Sequence, residues 1–130
     1  ILSVGSMTEV CEQVYREMKA KGENPTFVNA RFVKPLDTGL LDELAKDHSL
    51  FVTVEENVKS GGFGEHVAAI WKLPSGNAVL PIAIWNRFVE HGEVDSLRAK
   101  IGLSPAEIFS AIENELEEEK TAEDGYKEQK

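Results

Sequence analysis

Residues 51–70 read FVTVEENVKSGGFGEHVAAI, and where this stretch changes from strand to helix decides the fold. With Leu50 in front, LFVTVEE (50–56) is a β-branched and aromatic run of strand character. Beyond it, Phe63, Val67, Ile70 and Trp71 recur at helical spacing, which predicts a helix. An N-x-x-S spacer and three glycines, Gly61, Gly62 and Gly64, lie between. A strand that passes through a glycine loop straight into a helix is one unit of an alternating α/β chain.

The same alternation extends in both directions. ILSVGS (1–6) reads as a buried strand, and Val10, Cys11, Val14 and Met18 share one face of a helix over 8–21, with Thr8 as its cap and Gly22 as its stop. PTFVNARFV (25–33) is the second strand, and Asp37 caps a helix carrying Leu40, Leu41 and Leu44. His48 is expected to close that helix. The fourth strand is VLPIAIW (79–85), where Pro81 argues for an edge position or an unpaired N–H. Ser104, Pro105 and Glu107 form a capping box that starts a helix bearing Ile108, Phe109, Ile112 and Leu116. The polar segment 117–130 that follows reads as an acidic, disordered tail, so the α/β domain is assigned to 1–116.

Strands apolar on both faces and separated by helices imply a mostly parallel sheet covered on each side, a three-layer α/β/α arrangement. Right-handed crossovers make the simplest strand order 2-1-3-4. In such sheets ligands and partners meet the loops at the carboxyl ends of the strands, and the glycine loop sits at one of these.

Three chemistries compete for that loop. A dinucleotide cradle needs G-x-G-x-x-G after the first strand, whereas Gly61-Gly62-Phe63-Gly64 follows the third, with Glu55, Glu56 and Glu65 placed to repel a phosphate. Acid–base catalysis by a close carboxylate pair is disfavoured, because consecutive strand residues such as Glu55 and Glu56 point to opposite faces. A lone carboxylate there is better suited to capping a neighbouring helix. The histidines at 48, 66 and 91 are scattered and Cys11 is the single cysteine, so no metal motif is present. Cys11 itself lies on the apolar face of the first helix, which predicts an inert buried thiol.

What remains is packing: the glycines permit unusual backbone angles and a close helix-to-sheet approach. Phe63, framed by glycines, is suited either to plug the domain's own core or to insert into a neighbour, and Trp85 at the end of the fourth strand is a similar case. The residues therefore predict a catalytically bare α/β domain with a contact surface at its strand ends.

Composition bounds the remaining options. The 130 residues carry a net charge of −9, of which −5 falls in 113–130, so the chain lacks the basic footprint that a nucleic acid requires. A 42% hydrophobic and 28% charged balance is globular, and no apolar run approaches the ~20 residues that span a bilayer. One cysteine and no signal peptide fit a reducing, cytoplasmic compartment. The abrupt opening ILSVGS reads as a piece of a longer polypeptide, beginning at the edge of a folded element.

Three segments, VNARFVKPLD (28–37), FVTVEENVKSGGFGEHVAAI (51–70) and RFVEHGEVDSLRAKIGLSPAEIFSAI (87–112), resemble the C-terminal domain of the 1-deoxy-D-xylulose-5-phosphate synthases, transketolase-like enzymes that depend on thiamine diphosphate. The R-F-V-K-P-L-D and V-E-E-N…G-G-F-G strings are shared by other transketolase-type C-terminal domains, and V-E-H-G with its following helix points to the synthase. Trp85-Asn86 departs from the family's usual Pro-Asp. The resemblance implies a mixed sheet whose first, antiparallel strand is absent here. It implies a parent enzyme that condenses pyruvate with glyceraldehyde 3-phosphate with loss of carbon dioxide, with thiamine diphosphate and magnesium held in preceding domains. No catalytic, cofactor-binding or metal-binding residue carries over to this chain.

What does carry over is a domain and dimer contact: Glu55, Glu56, Asn57, Gly61, Gly62, Phe63, Gly64, His66, Trp85 and His91 are assigned to face the preceding domains and a second subunit of a homodimer. Two alternatives stay open at this point. One is the C-terminal domain of a transketolase or of a 2-oxoacid dehydrogenase β subunit. The other is a free-standing α/β module that binds a small anion at the helix N-terminus beside the glycines.

Overall fold

The structure, a computed structural model, describes residues 1–30, 36–58, 61–84 and 103–128. Four strands, β1 (Leu2–Ser3), β2 (Val28–Asn29), β3 (Leu50–Val58) and β4 (Ala78–Ile84), form one sheet in the order β2-β1-β3-β4. All three pairings are parallel, as the buried, apolar strands predicted. The helices are α1 (Thr8–Ala20), α2 (Thr38–Ala45), α3 (Phe63–Ile70) and α4 (Pro105–Glu128).

The two faces of β3 divide the core. Val52 and Val54 join Met7, Val10, Cys11, Val14 and Met18 from the first helical segment with Leu103, just ahead of α4, and Ile108 and Ile112 on it. Phe51, on the opposite face, packs with Leu2, Leu41, Phe63, Val67 and Trp71. The sheet is therefore sandwiched between α1 with α4 on one side and α2 with α3 on the other. Each layer buries one stripe per helix, the arrangement that an amphipathic helix on a two-sided sheet must adopt.

Several local expectations are met. Asp37 Oδ1 accepts the Leu40 N–H at 3.0 Å, capping α2, and the Ser104 hydroxyl accepts the Glu107 N–H at 3.3 Å at the start of α4. His48 closes α2 through Nδ1, 3.0 Å from the Leu44 carbonyl oxygen.

Others are corrected. The first strand covers Leu2–Ser3, because Gly5–Met7 turn into a short 3₁₀ helix that runs directly into α1. That turn puts Met7 at the cap position, and the Thr8 hydroxyl donates back to the Gly5 carbonyl at 2.9 Å. The described part of the second strand is Val28–Asn29, with 31–33 outside the described residues. Ile70 is 55% exposed, since the chain leaves the helix at Trp71 and the indole takes the inward place against Phe51. The segment expected to be a disordered tail continues α4 unbroken to Glu128. Its Glu, Lys and Ala residues are strong helix formers that extend a helix already nucleated on the core.

Candidate functional site

The site is built on the odd-numbered face of β3, where Phe51, Thr53 and Glu55 alternate beneath α3. Phe51 meets Trp71 edge-on, ring centroids 4.7 Å apart, at the far end of the helix. The Trp71 indole N–H donates to Asp42 of α2 at 2.8 Å, tying the two helices of this layer together.

Thr53, fully buried, lies under Gly64. A Cβ on Gly64 would stand 2.6 Å from the Thr53 Oγ1 and 2.7 Å from the Pro81 Cβ, so only glycine lets the first turn of α3 descend this far onto β3 and β4. That is the close approach expected of the glycine loop. The Thr53 hydroxyl meets no hydrogen-bond partner among the described residues.

Glu55 completes the series. Only 1% exposed, its carboxylate accepts the Phe63 N–H on one oxygen and the Gly64 N–H on the other, both at 2.8 Å. These amides are two of the donors left unpaired at a helix start, where the macrodipole favours negative charge. A second carboxylate acts one step outward, where Glu65 accepts the Gly61 N–H at 2.7 Å. Gly61 has φ +72°, the left-handed region that side chains avoid, while Gly62 at φ −79°, ψ −178° is in an extended conformation open to any residue. The loop is thus held from both ends by glutamates.

Glu55 and Glu56 do face opposite ways. Glu56 turns to the α1 side and accepts a hydrogen bond from the Ser6 hydroxyl, joining the carboxyl ends of β1 and β3. Phe63, for which two roles stood open, places its side chain in the core, 5% exposed. His66 is half-buried and Gly61 exposed at the surface of this end, and Asn57 falls within β3. Trp85 and His91 lie outside the described residues. Cys11 is fully buried, and burial pushes its thiol up to about 12.

Sequence reasoning missed the roles of Glu65 and Thr53. Glu65 carried a signal, since a glutamate at the third helical position commonly reaches back to an amide ahead of the helix. Thr53 carried none, because its position under Gly64 depends on how α3 crosses the sheet.

The family model for the transketolase C-terminal domain matches residues 1–108. A 1-deoxy-D-xylulose-5-phosphate synthase of Lachnoclostridium phytofermentans is 43% identical over 114 residues, covering 86% of this chain and 18% of that protein. One from Dictyoglomus thermophilum is 40% identical over 121 residues, covering 92% of this chain and 20% of that protein. The chain thus spans about a fifth of the length of these curated relatives. Among solved structures, a split-gene transketolase in an inactive β4 tetramer superposes with a TM-score of 0.71 at 26% identity, over 87% of this chain and 36% of that one. Parallel order, two-sided packing and family match agree: this chain belongs to the transketolase C-terminal domain family.

Proposed function

We propose that this chain is the C-terminal module of a 1-deoxy-D-xylulose-5-phosphate synthase, a transferase, and that it docks on the preceding domains and supports a homodimer without carrying out chemistry itself. The full enzyme would condense pyruvate with glyceraldehyde 3-phosphate, releasing carbon dioxide, in the cytoplasm. The likeness to two bacterial synthases at 43% and 40% identity supports the choice of enzyme over a transketolase or a 2-oxoacid dehydrogenase β subunit.

One observation carries the reading: Glu55 fills the N-terminus of α3 from within the chain. A free anion at that position would have to displace a buried carboxylate already paired with both amides, which argues against the anion-binding alternative. For the same reason the described residues do not fit thiamine diphosphate with its magnesium. The amides that would receive a diphosphate are taken, and among the described residues no three His, Cys, Asp or Glu side chains converge to hold a metal. On this reading, cofactor and magnesium belong to the parts of the enzyme that precede this module.

Because Glu55, Phe63 and Gly64 are buried, the contact is made by what they hold in place: Gly61, Gly62, Glu65 and His66, with Glu56 beside them. The experiment is a domain exchange. This chain replaces the corresponding segment of the Lachnoclostridium phytofermentans synthase, and the chimera is expected to keep pyruvate-dependent synthase activity. The chain alone is expected to show neither turnover nor thiamine diphosphate binding by calorimetry. Turnover by the chain alone, or an inactive but folded chimera, would refute the reading.

A further inference from the structure

We propose that Pro81 closes the outer edge of β4 to strand addition, so that neither a second copy of this chain nor another extended segment continues the sheet from that side. Among the described residues β4 is the last strand in the sheet order, and its register against β3 runs without a shift from Leu50↔Ala78 to Val54↔Ile82. Successive residues of a strand turn their N–H and C=O groups to opposite sides. The phase is set by two hydrogen bonds: the Ala78 N–H donates to the Ser49 carbonyl at 2.8 Å, and the Val4 N–H donates to the Val54 carbonyl at 3.0 Å.

On β4, Ala78, Leu80 and Ile82 therefore direct their backbone groups to β3, and Val79, Pro81 and Ala83 direct theirs outward. Pro81 stands opposite Thr53 in the register, yet the missing N–H costs the sheet no ladder bond. What it removes is the central one of three outward donors. An added strand would meet an interrupted row of donors and a ring that blocks close approach, a recognised means of blunting a sheet edge. The ring has a second task on the α3 face, where its Cβ would lie 2.7 Å from any Cβ placed on Gly64.

Pro81→Ala separates these tasks, because alanine keeps the Cβ beneath Gly64 and restores the outward N–H. The full 130-residue chain is compared with the variant in two ways. In dilute, monomeric solution the amide that the substitution creates at position 81 should exchange with solvent at least tenfold faster than the amides of Leu80 and Ile82. In a concentration series followed by sedimentation velocity, the variant should self-associate at several-fold lower concentration than the parent chain. Ile108→Val, chosen to lower stability without touching the edge, should leave self-association unchanged. A new amide at position 81 protected as well as its neighbours would overturn the proposal. So would unchanged self-association of the variant, or equal self-association of Ile108→Val.

Discussion

Gly64 rests so closely on Thr53 that a Cβ on the glycine would stand 2.6 Å from the threonine Oγ1, a separation that real Cβ atoms do not tolerate. Neither this hydroxyl nor the Pro81 Cβ at 2.7 Å is the far end of a flexible side chain, so relief requires the helix to lift. Gly64→Ala is expected to destabilise the chain by ~3 kcal/mol, at the upper end for overpacking and despite the better helix propensity of alanine. Urea unfolding followed by circular dichroism measures this. A loss below about 0.5 kcal/mol, the range of an ordinary surface substitution, would mean that the close approach is absent.

Thr53 offers the opposite sign. Its hydroxyl is buried with no partner among the described residues. Thr53→Val, nearly isosteric, removes that unsatisfied group and should raise stability by about 1 kcal/mol in the same assay. A marked loss would reveal a hydrogen bond to the hydroxyl.

Glu55 is the most consequential carboxylate at this end of the sheet, since it satisfies both the Phe63 and the Gly64 amides. Glu55→Gln leaves one acceptor oxygen and turns an NH₂ towards the other amide, so one buried donor goes unpaired and the charge–dipole attraction is lost. The expected cost is ~2–4 kcal/mol, accompanied by faster amide exchange through the first turn of α3. Unchanged exchange at Phe63 and Gly64 would contradict the clamp.

Phe63 and His66 should separate folding from contact. Phe63→Ala empties a core position and is expected to cost about 3–5 kcal/mol of domain stability. His66→Ala changes a half-buried surface residue and should alter stability by no more than ~0.5 kcal/mol, yet, if the proposed docking role holds, weaken dimerisation of the full-length enzyme. Analytical ultracentrifugation of the two full-length variants distinguishes them. A dimer indifferent to His66→Ala would move the contact elsewhere.

Cys11 gives stability an alkaline limit. Burial raises its thiol from an ordinary 9.0 to about 12 in the folded chain, so the folded state resists forming the thiolate. The stability this represents is complete below pH 9 and declines as pH rises from 9 towards 12, by at most ~1.4 kcal/mol per unit. Cys11→Ala lowers stability at neutral pH by opening a cavity but should show a shallower alkaline decline. Parallel slopes for the two chains would show that the thiol does not contribute.

Much of this is readable from the order of residues. Element order, the parallel sheet, the stripe Val10, Cys11, Val14, Met18 and the caps at Asp37 and Ser104 all follow from local periodicity and cap chemistry, which neighbouring residues specify. The acidic end of α4 is not, because its composition suits both a solvated coil and a helix continued from a packed nucleus. Ile70 escapes for a related reason. Spacing alone allows both Ile70 and Trp71 inward, and the larger ring takes the site beside Phe51.

By itself the sequence determined that Glu55 and Glu56 part to opposite faces, that a glycine loop brings a helix close to a sheet, and that Pro81 belongs at an edge or where a strand N–H goes unpaired. Only the tertiary structure decided that Glu55 is the one turned to α3, that Thr53 lies under Gly64, and that Phe63 fills the core. The physical reason is that β3 is buried on both faces, so its pattern specifies alternation without saying which face meets which helix. That choice is made when α1 with α4 and α2 with α3, each contributed by distant parts of the chain, close on the two sides of the sheet.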